Sequence, residues 1–192
     1  MDKKLIRNRM LEVLNKMSVS EYETLSKKIT DQVIASEEFI AAQTIGLTIS
    51  RFPEVNTLPL IEAAWAMGKH VAVPKCIRAT RAMDFRLITS FDNIETVYMN
   101  LLEPILSETK AIKKNKIDIQ IVPGVVYSND GFRIGFGGGY YDRYLTEYTG
   151  DTISMAFDCQ VGSAVPTENH DVPVEKIFTE KRRIICGEGS EL

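Results

Sequence analysis

Residues 133–145 hold the densest chemistry in the chain: Arg133, Ile134, Gly135, Phe136, Gly137, Gly138, Gly139, Tyr140, Tyr141, Asp142, Arg143, Tyr144 and Leu145. Four glycines in five positions let the backbone enter φ > 0 and come close to a ligand. Successive N–H groups in such a loop can form a nest for an anion. The apolar and aromatic spacing after Gly139 predicts a helix, whose start favours negative charge at the same place. Arg133 and Arg143 flank the loop, and guanidinium groups bind phosphate bidentately. Asp142 falls in the first helical turn, where a carboxylate is stabilised and can hold a hard cation. Together these residues read as a nucleoside triphosphate site. Glycine runs also serve bulges and tight turns with no ligand. The string is neither the G-x-x-x-x-G-K-[ST] nor the G-x-G-x-x-G phosphate pattern.

Elements of two kinds must position this stretch. Residues 3–17 have a helical period, with Ile6, Met10, Val13 and Met17 on the expected core face. Lys3, Lys4 and Arg7 cluster near its start, where the helix dipole does not favour cations. Ser18 and Glu21 form a capping-box pattern. Tyr22, Leu25, Ile29 and Val33 then mark a second amphipathic helix, and Ser36 opens a short third one. Residues 44–49 are a buried strand, followed by a loop carrying Glu54 and by Thr57, a cap for a helix that ends at Gly68. Further strands are expected over 70–74, 83–88, 117–122, 152–157 and 181–186. Residues 78–81 read as a turn, and the four lysines within 110–116 as a solvated one. Strands alternating with helices give an α/β fold with a mostly parallel sheet covered on both faces. Glu54 and Lys75 then follow strand ends, where open α/β sheets bind ligands. By default Glu54, Lys75 and Asp171 are solvated loop residues.

At 192 residues the chain suits one domain, with 187–192 as a flexible tail. A hydrophobic share of 44% and a charged share of 26% are ordinary for a globular protein. The net charge of −3 offers no broad attraction to nucleic acid. Three widely spaced cysteines (Cys76, Cys159, Cys186) argue against a disulfide framework or a zinc site and suit the cytoplasm. No apolar run is long enough to span a bilayer, and the charged start does not read as a signal peptide.

The string from Pro123 to Val126, and then from Gly131 through the glycine loop to Asp142, resembles the signature of the 5-formyltetrahydrofolate cyclo-ligase family, also called methenyltetrahydrofolate synthetases. The resemblance runs on through the basic N-terminal segment, residues 53–57, Glu103 with Pro104, and residues 170–173. It implies a three-layer Rossmann-like sandwich. It also implies ATP-driven, magnesium-dependent closure of 5-formyltetrahydrofolate to 5,10-methenyltetrahydrofolate by a monomer. The nucleotide would be met by Lys3, Lys4, Arg7 and the stretch Arg133, Ile134, Gly135, Phe136, Gly137, Gly138, Gly139, Tyr140 and Tyr141. The folate would be met by Ile49, Glu54 and residues 137–140. Asp142 and Asp171 would hold Mg2+. No general base is implied, and Arg133 would stabilise phosphate charge. Some members carry lysine where this chain has Gly138, so Arg133 and Arg143 would matter more here.

Two other classes share these features. A sugar-phosphate isomerase or a CoA-transferase-like enzyme can occupy a similar scaffold, using an in-site carboxylate and no ATP. A non-catalytic sensor of a phosphate ligand would bind without turnover, and the chain has no room for an added helix-turn-helix module.

Overall fold

The computed structural model of the protein describes residues 2–187. The helices are α1 (Lys3–Leu14), α2 (Val19–Ile34), α3 (Glu37–Ala41), α4 (Leu58–Ala66) and α5 (Tyr140–Leu145). The strands are β1 (Thr44–Gly46), β2 (His70–Ile77), β3 (Ala82–Ile88), β4 (Ile94–Thr96), β5 (Leu102–Pro104), β6 (Lys110–Ala111), β7 (Ile119–Ile121), β8 (Val126–Tyr127), β9 (Arg133–Ile134), β10 (Asp151–Met155), β11 (Lys176–Phe178) and β12 (Arg183–Ile185).

Strands rich in branched apolar residues occupy the sheet centre, where both faces are covered. The main sheet has the order β12-β11-β10-β7-β1-β2-β3-β6. The inner run β11-β10-β7-β1-β2 is parallel. The outer strands β12, β3 and β6 pair antiparallel. Side chains alternate between faces, as a pleated strand requires. Ile45, Val71, Val73, Ile119, Ile121 and Ile153 join α2, α3 and α4 in one core. Ala72, Ile117, Val122 and Ile177 join Tyr144 and Leu145 of α5 in the other. The three layers expected are present, with one outer layer made thin by the six-residue α5.

The connections place the ligand side. From β1 the chain crosses through α4 to β2; from β7 it crosses the other way to β10. Adjacent parallel strands whose connections diverge leave a crevice outside their carboxyl ends. The loop with Glu54 leaves β1 at that crevice, and the segment leading to the glycine loop leaves β7 there.

Several local expectations shift. The central strands are shorter than the apolar runs, which continue as extended, buried chain beyond the paired residues. Val13 is exposed and Leu14 is buried instead, because α1 packs by an i, i+4 face through Ile6, Met10 and Leu14. Thr57 does not cap α4 with its side chain. Its hydroxyl donates to the Thr48 carbonyl at 3.0 Å and accepts from the Ser50 amide, while its own amide donates to the Ser50 hydroxyl at 2.9 Å. That staple closes the loop carrying Glu54; Asn56 caps the helix through Leu58 N. The lysine-rich stretch contributes β6 to the sheet edge. Of the expected tail, residues 188–192 lie outside the described residues.

The polar turn at 128–131 closes a hairpin, β8–β9, that the sequence pattern did not predict. At its tip Gly131 has φ +86, and a Cβ there would stand 2.1 Å from the Val174 carbonyl oxygen. The amide of Val174 donates to the Gly131 carbonyl at 3.0 Å. This contact fixes the segment that carries Asp171 against the strand that feeds the glycine loop. Gly131→Ala therefore combines a left-handed backbone with a clash against main chain. It should cost about 3 kcal/mol, read in thermal unfolding as a Tm drop of roughly 6–12 °C; an unchanged Tm would show that the two segments separate freely.

Candidate active site

The glycine loop rims an open cleft of about 350 Å³. Its walls include Gly137, Gly138, Gly139, Asp142, Arg143 and Arg81. Gly137 and Gly139 have φ +92 and +66, conformations that glycine takes without strain. The helix that follows is a single short one, and Gly139 precedes it without a side-chain cap. A helix dipole therefore contributes less at this cleft than the sequence pattern implied, and the charges on its wall are those of Arg81, Arg143 and Asp142.

Arg133 pairs with Asp142 of the cleft wall, with its side chain only 4% exposed. One terminal nitrogen donates to the Val172 carbonyl at 2.6 Å and the other to Asp142 Oδ1 at 3.0 Å. The same carboxylate oxygen accepts the Val172 amide at 3.2 Å. Arg133 thus grips Asp142 and the residue after Asp171 together. Asp171 in turn accepts from Lys3 Nζ at 2.8 Å and from the Glu168 amide at 2.9 Å. Burial pushes the Asp171 carboxyl up, but those two hydrogen bonds and the Lys3 charge outweigh it and hold it below the usual carboxylate range. A depressed carboxyl stabilises the fold at neutral pH and loses that contribution as pH falls through its folded value. The ammonium of Lys3 is raised: burial opposes its charge, and the bonds to Asp171 and Glu168 more than restore it. Its contribution is present at neutral pH and lost only at high pH.

The N-terminal helix supplies a second contact. Arg7 Nη1 donates to the Gly135 carbonyl at 3.3 Å and lies 3.3 Å from where a Cβ on Gly137 would be. Lys4 is exposed, and its side chain makes no hydrogen bond or ion pair among the described residues. Ile134 is buried against Val125, Val126 and residues of α1, so its side chain belongs to the core. Phe136 is 56% exposed at the rim of the loop. The ring of Tyr140 packs under Gly138, where a Cβ would approach it to 2.6 Å.

A smaller cavity, of about 30 Å³, lies at the carboxyl ends of β1, β7 and β10. Glu54, Ser50, Thr48, Gly124 and Gln160 line it. The Arg51 amide donates to Glu54 Oε2 at 3.0 Å. Burial nonetheless pushes the Glu54 carboxyl up, against that bond and the charge of Arg51. The Tyr127 ring lies beneath Gly124, where a Cβ would come within 2.8 Å of its hydroxyl. Burial raises the hydroxyls of Tyr127 and Tyr141, each of which feels the charges of both Arg133 and Glu54. Neither hydroxyl meets a partner at full hydrogen-bond geometry among the described residues; Ser154, whose own hydroxyl donates to the Val122 carbonyl, is close enough to Tyr127 to oppose part of that rise, whereas Tyr141 has no such neighbour and bears the cost of an unmet polar group. Both hydroxyls therefore feel a cation and a carboxylate, Arg133 and Glu54. Ile49 is buried in the core beside the same loop.

Tyr127 and Arg81 were not singled out in the sequence. Tyr127 sits in a short apolar strand that looks structural, and Arg81 in a turn 57 residues from its partner Gly138. Glu103 and Lys75 pair with each other at 3.3 Å, and Glu103 also accepts the Cys76 amide. That places both in the anchoring of β5 on β2. Among the described residues no group of three or more His, Cys, Asp or Glu side chains is arranged to hold a metal ion. No helix there is long and apolar enough to cross a membrane.

The comparisons with known proteins agree with this geometry. A structure of Aquifex aeolicus 5,10-methenyltetrahydrofolate synthetase superposes with a TM-score of 0.86 at 27% identity, covering 100% of this chain and 96% of that one. A Mycoplasma pneumoniae 5,10-methenyltetrahydrofolate synthetase superposes with a TM-score of 0.76 at 26% identity, over 94% of this chain and 99% of that one. The 5-formyltetrahydrofolate cyclo-ligase of Escherichia coli is 27% identical over 86% of this chain and 93% of its own length. The model of the 5-formyltetrahydrofolate cyclo-ligase family matches residues 1–180. The chain is an enzyme of the ligase class and belongs to the 5-formyltetrahydrofolate cyclo-ligase family.

Proposed function

We propose that the protein closes 5-formyltetrahydrofolate to 5,10-methenyltetrahydrofolate at the expense of ATP, with release of ADP and phosphate. The observation that carries this reading is a pair of hollows: a desolvated Glu54 in a crevice at the strand ends of the sheet, and a glycine-loop cleft lined by Arg81, Arg143 and Asp142. The protein acts as a cytoplasmic monomer on these two small molecules. An isomerase or transferase using Glu54 alone would leave the arginine-lined cleft without a purpose.

The chemistry asks little of side chains as nucleophiles or bases. The formyl oxygen of the substrate attacks the γ-phosphorus, and ADP leaves. The resulting N5-iminium phosphate is attacked at carbon by N10, and phosphate departs with the former formyl oxygen. An amide oxygen is a poor leaving group until phosphorylated. Phosphoryl transfer then needs mainly alignment and charge neutralisation. Gly137, Gly138 and Gly139 provide amides to the phosphates, with Lys3, Lys4 and Arg7 on the α1 side and Tyr140 and Tyr141 beneath. Arg133 acts from below, keeping Asp142 in place while adding positive charge to the cleft. Glu54 and the chain at Ile49 hold the folate so that its formyl group faces the loop.

Asp142 and Asp171 suit a magnesium ion. Both are hard oxygen donors, and the Val172 amide that donates to Asp142 is the next residue after Asp171. Two carboxylates suffice where phosphate and water complete the shell. Held by Asp142 and Asp171, the ion would supply neutralisation of the charge that builds on the transferring phosphoryl group.

Three outcomes test this. Mixing the protein with 5-formyltetrahydrofolate and Mg-ATP should give the methenyl absorbance with one ADP per turnover; ATP binding without that absorbance would remove the folate assignment. Glu54→Gln should lower kcat/KM for the folate roughly 10- to 100-fold. It should also raise Tm by a few degrees at pH 8 and by less at pH 4.5. The sign follows from a carboxyl raised by burial, which favours the fold when protonated and opposes it as pH rises through its folded value. Asp142→Asn should reduce kcat by about 100-fold or more and lower Tm less than Asp142→Ala does, because the amide oxygen still accepts from Arg133 and Val172 although the charge facing the guanidinium is gone. Asp142→Ala should in addition cost about 3 kcal/mol by leaving the buried guanidinium unpaired, and full turnover of the Asn variant at saturating magnesium would refute the metal role.

A further inference from the structure

The glycine loop carries no cation of its own between Gly135 and Gly139, where residues 136–138 are Phe, Gly and Gly. Arg133, just before it, is buried with two nitrogens committed to Val172 and Asp142. Arg7 meets the loop at the Gly135 carbonyl. Positive charge on the open side of the cleft comes from Arg143 of α5 and from a second arginine across the cleft.

Arg81 is that second arginine. This residue closes the turn between β2 and β3, is exposed, and lines the cleft together with Arg143 and the glycines. Its Nη1 donates to the Gly138 carbonyl at 2.6 Å. A carbonyl oxygen in an anion-binding loop opposes the ligand that the neighbouring amides attract. A guanidinium on that oxygen cancels the opposition, and its remaining donors stay available at the mouth of the cleft. The backbone carries a second sign: Arg81 has φ +55. Hairpin turns ordinarily fill that conformation with glycine or asparagine. A turn selected only to reverse the chain has no reason to place arginine there, whereas one selected for its side chain does.

We propose that Arg81 is a polyphosphate-binding residue of this site, a guanidinium delivered by the β2–β3 turn to the Gly138 carbonyl of the glycine loop. The assignment rests on reading the cleft as the ATP site. It makes the β2–β3 hairpin part of nucleotide recognition, and it separates recognition of the phosphates from that of the folate, whose contacts lie at Glu54.

Arg81→Gly is the informative variant, because glycine accepts the left-handed backbone and keeps the turn intact; its Tm should equal or exceed that of the unchanged protein. Calorimetric titrations with Mg-ATP and adenosine, together with steady-state kinetics, give the readouts. The KM and Kd for ATP should rise about 10-fold, with adenosine affinity and the KM for 5-formyltetrahydrofolate unchanged and Arg81→Lys intermediate. An ATP KM within twofold of the unchanged protein would overturn the role of Arg81 and leave the ATP reading standing. A parallel rise in both KM values would show that Arg81 only shapes the loop, and would also overturn it. Failure of the unchanged protein to bind Mg-ATP would sink the ATP reading itself, and the role of Arg81 with it.

Discussion

A buried guanidinium without a partner is among the costliest groups a fold can contain, and the site is built around avoiding one. Arg133 enters from the short strand β9, with its side chain almost wholly removed from solvent. It is satisfied only if the Val172 carbonyl and the Asp142 carboxylate stand on either side of it. Those partners come from the segment before β11 and from α5. One charge thus fixes three pieces of chain whose sequence separations are 9 and 39 residues. Asp142 repays the constraint by capping the amide of Val172, the next residue after Asp171. The glycine loop between β9 and α5 then has both of its ends held.

The second half of the site works by tension of another kind. Glu54 sits in a loop tightened by the reciprocal Thr57–Ser50 hydrogen bonds and is raised by burial. Tyr127 and Tyr141, which feel its charge, keep hydroxyls that meet no partner at full hydrogen-bond geometry among the described residues. These are local losses of stability. Their position, at the diverging connections from β1 and β7, is where a parallel sheet leaves its crevice open. Tight pairing at Arg133 thus stands against incomplete pairing around Glu54 and the two tyrosines.

The N-terminal helix belongs to neither half by sequence yet serves the cleft. Its Lys3 pairs with Asp171 and its Arg7 bonds the loop, while Ile6, Met10 and Leu11 pack on the β8–β9 hairpin. The apolar contacts supply the attachment, and the ionic ones, partly exposed, supply direction more than stability. Cations near a helix start work against its dipole, and here both are turned toward acceptors on other elements.

The sequence by itself determined the class of fold, the glycine loop and the family. Each of these is written in local information: alternating apolar runs, glycine density, and an arginine and an aspartate at fixed spacing from that loop. Lys3, Arg7, Glu54, Asp142 and Asp171 could be named as candidates because their neighbours in sequence resemble a known signature. Only the tertiary structure decided what those residues touch. It buried Arg133, kept Lys4 in solvent, turned Ile134 into core and moved Thr57 from capping a helix to closing a loop. It also brought Arg81 to Gly138 and exposed the unfinished hydrogen bonding of Tyr127, which nothing in their local sequence signals. The physical reason is that charge compensation and hydrogen-bond satisfaction are settled between segments far apart in the chain, whereas the periodicity and turn chemistry that a sequence displays act over a few residues.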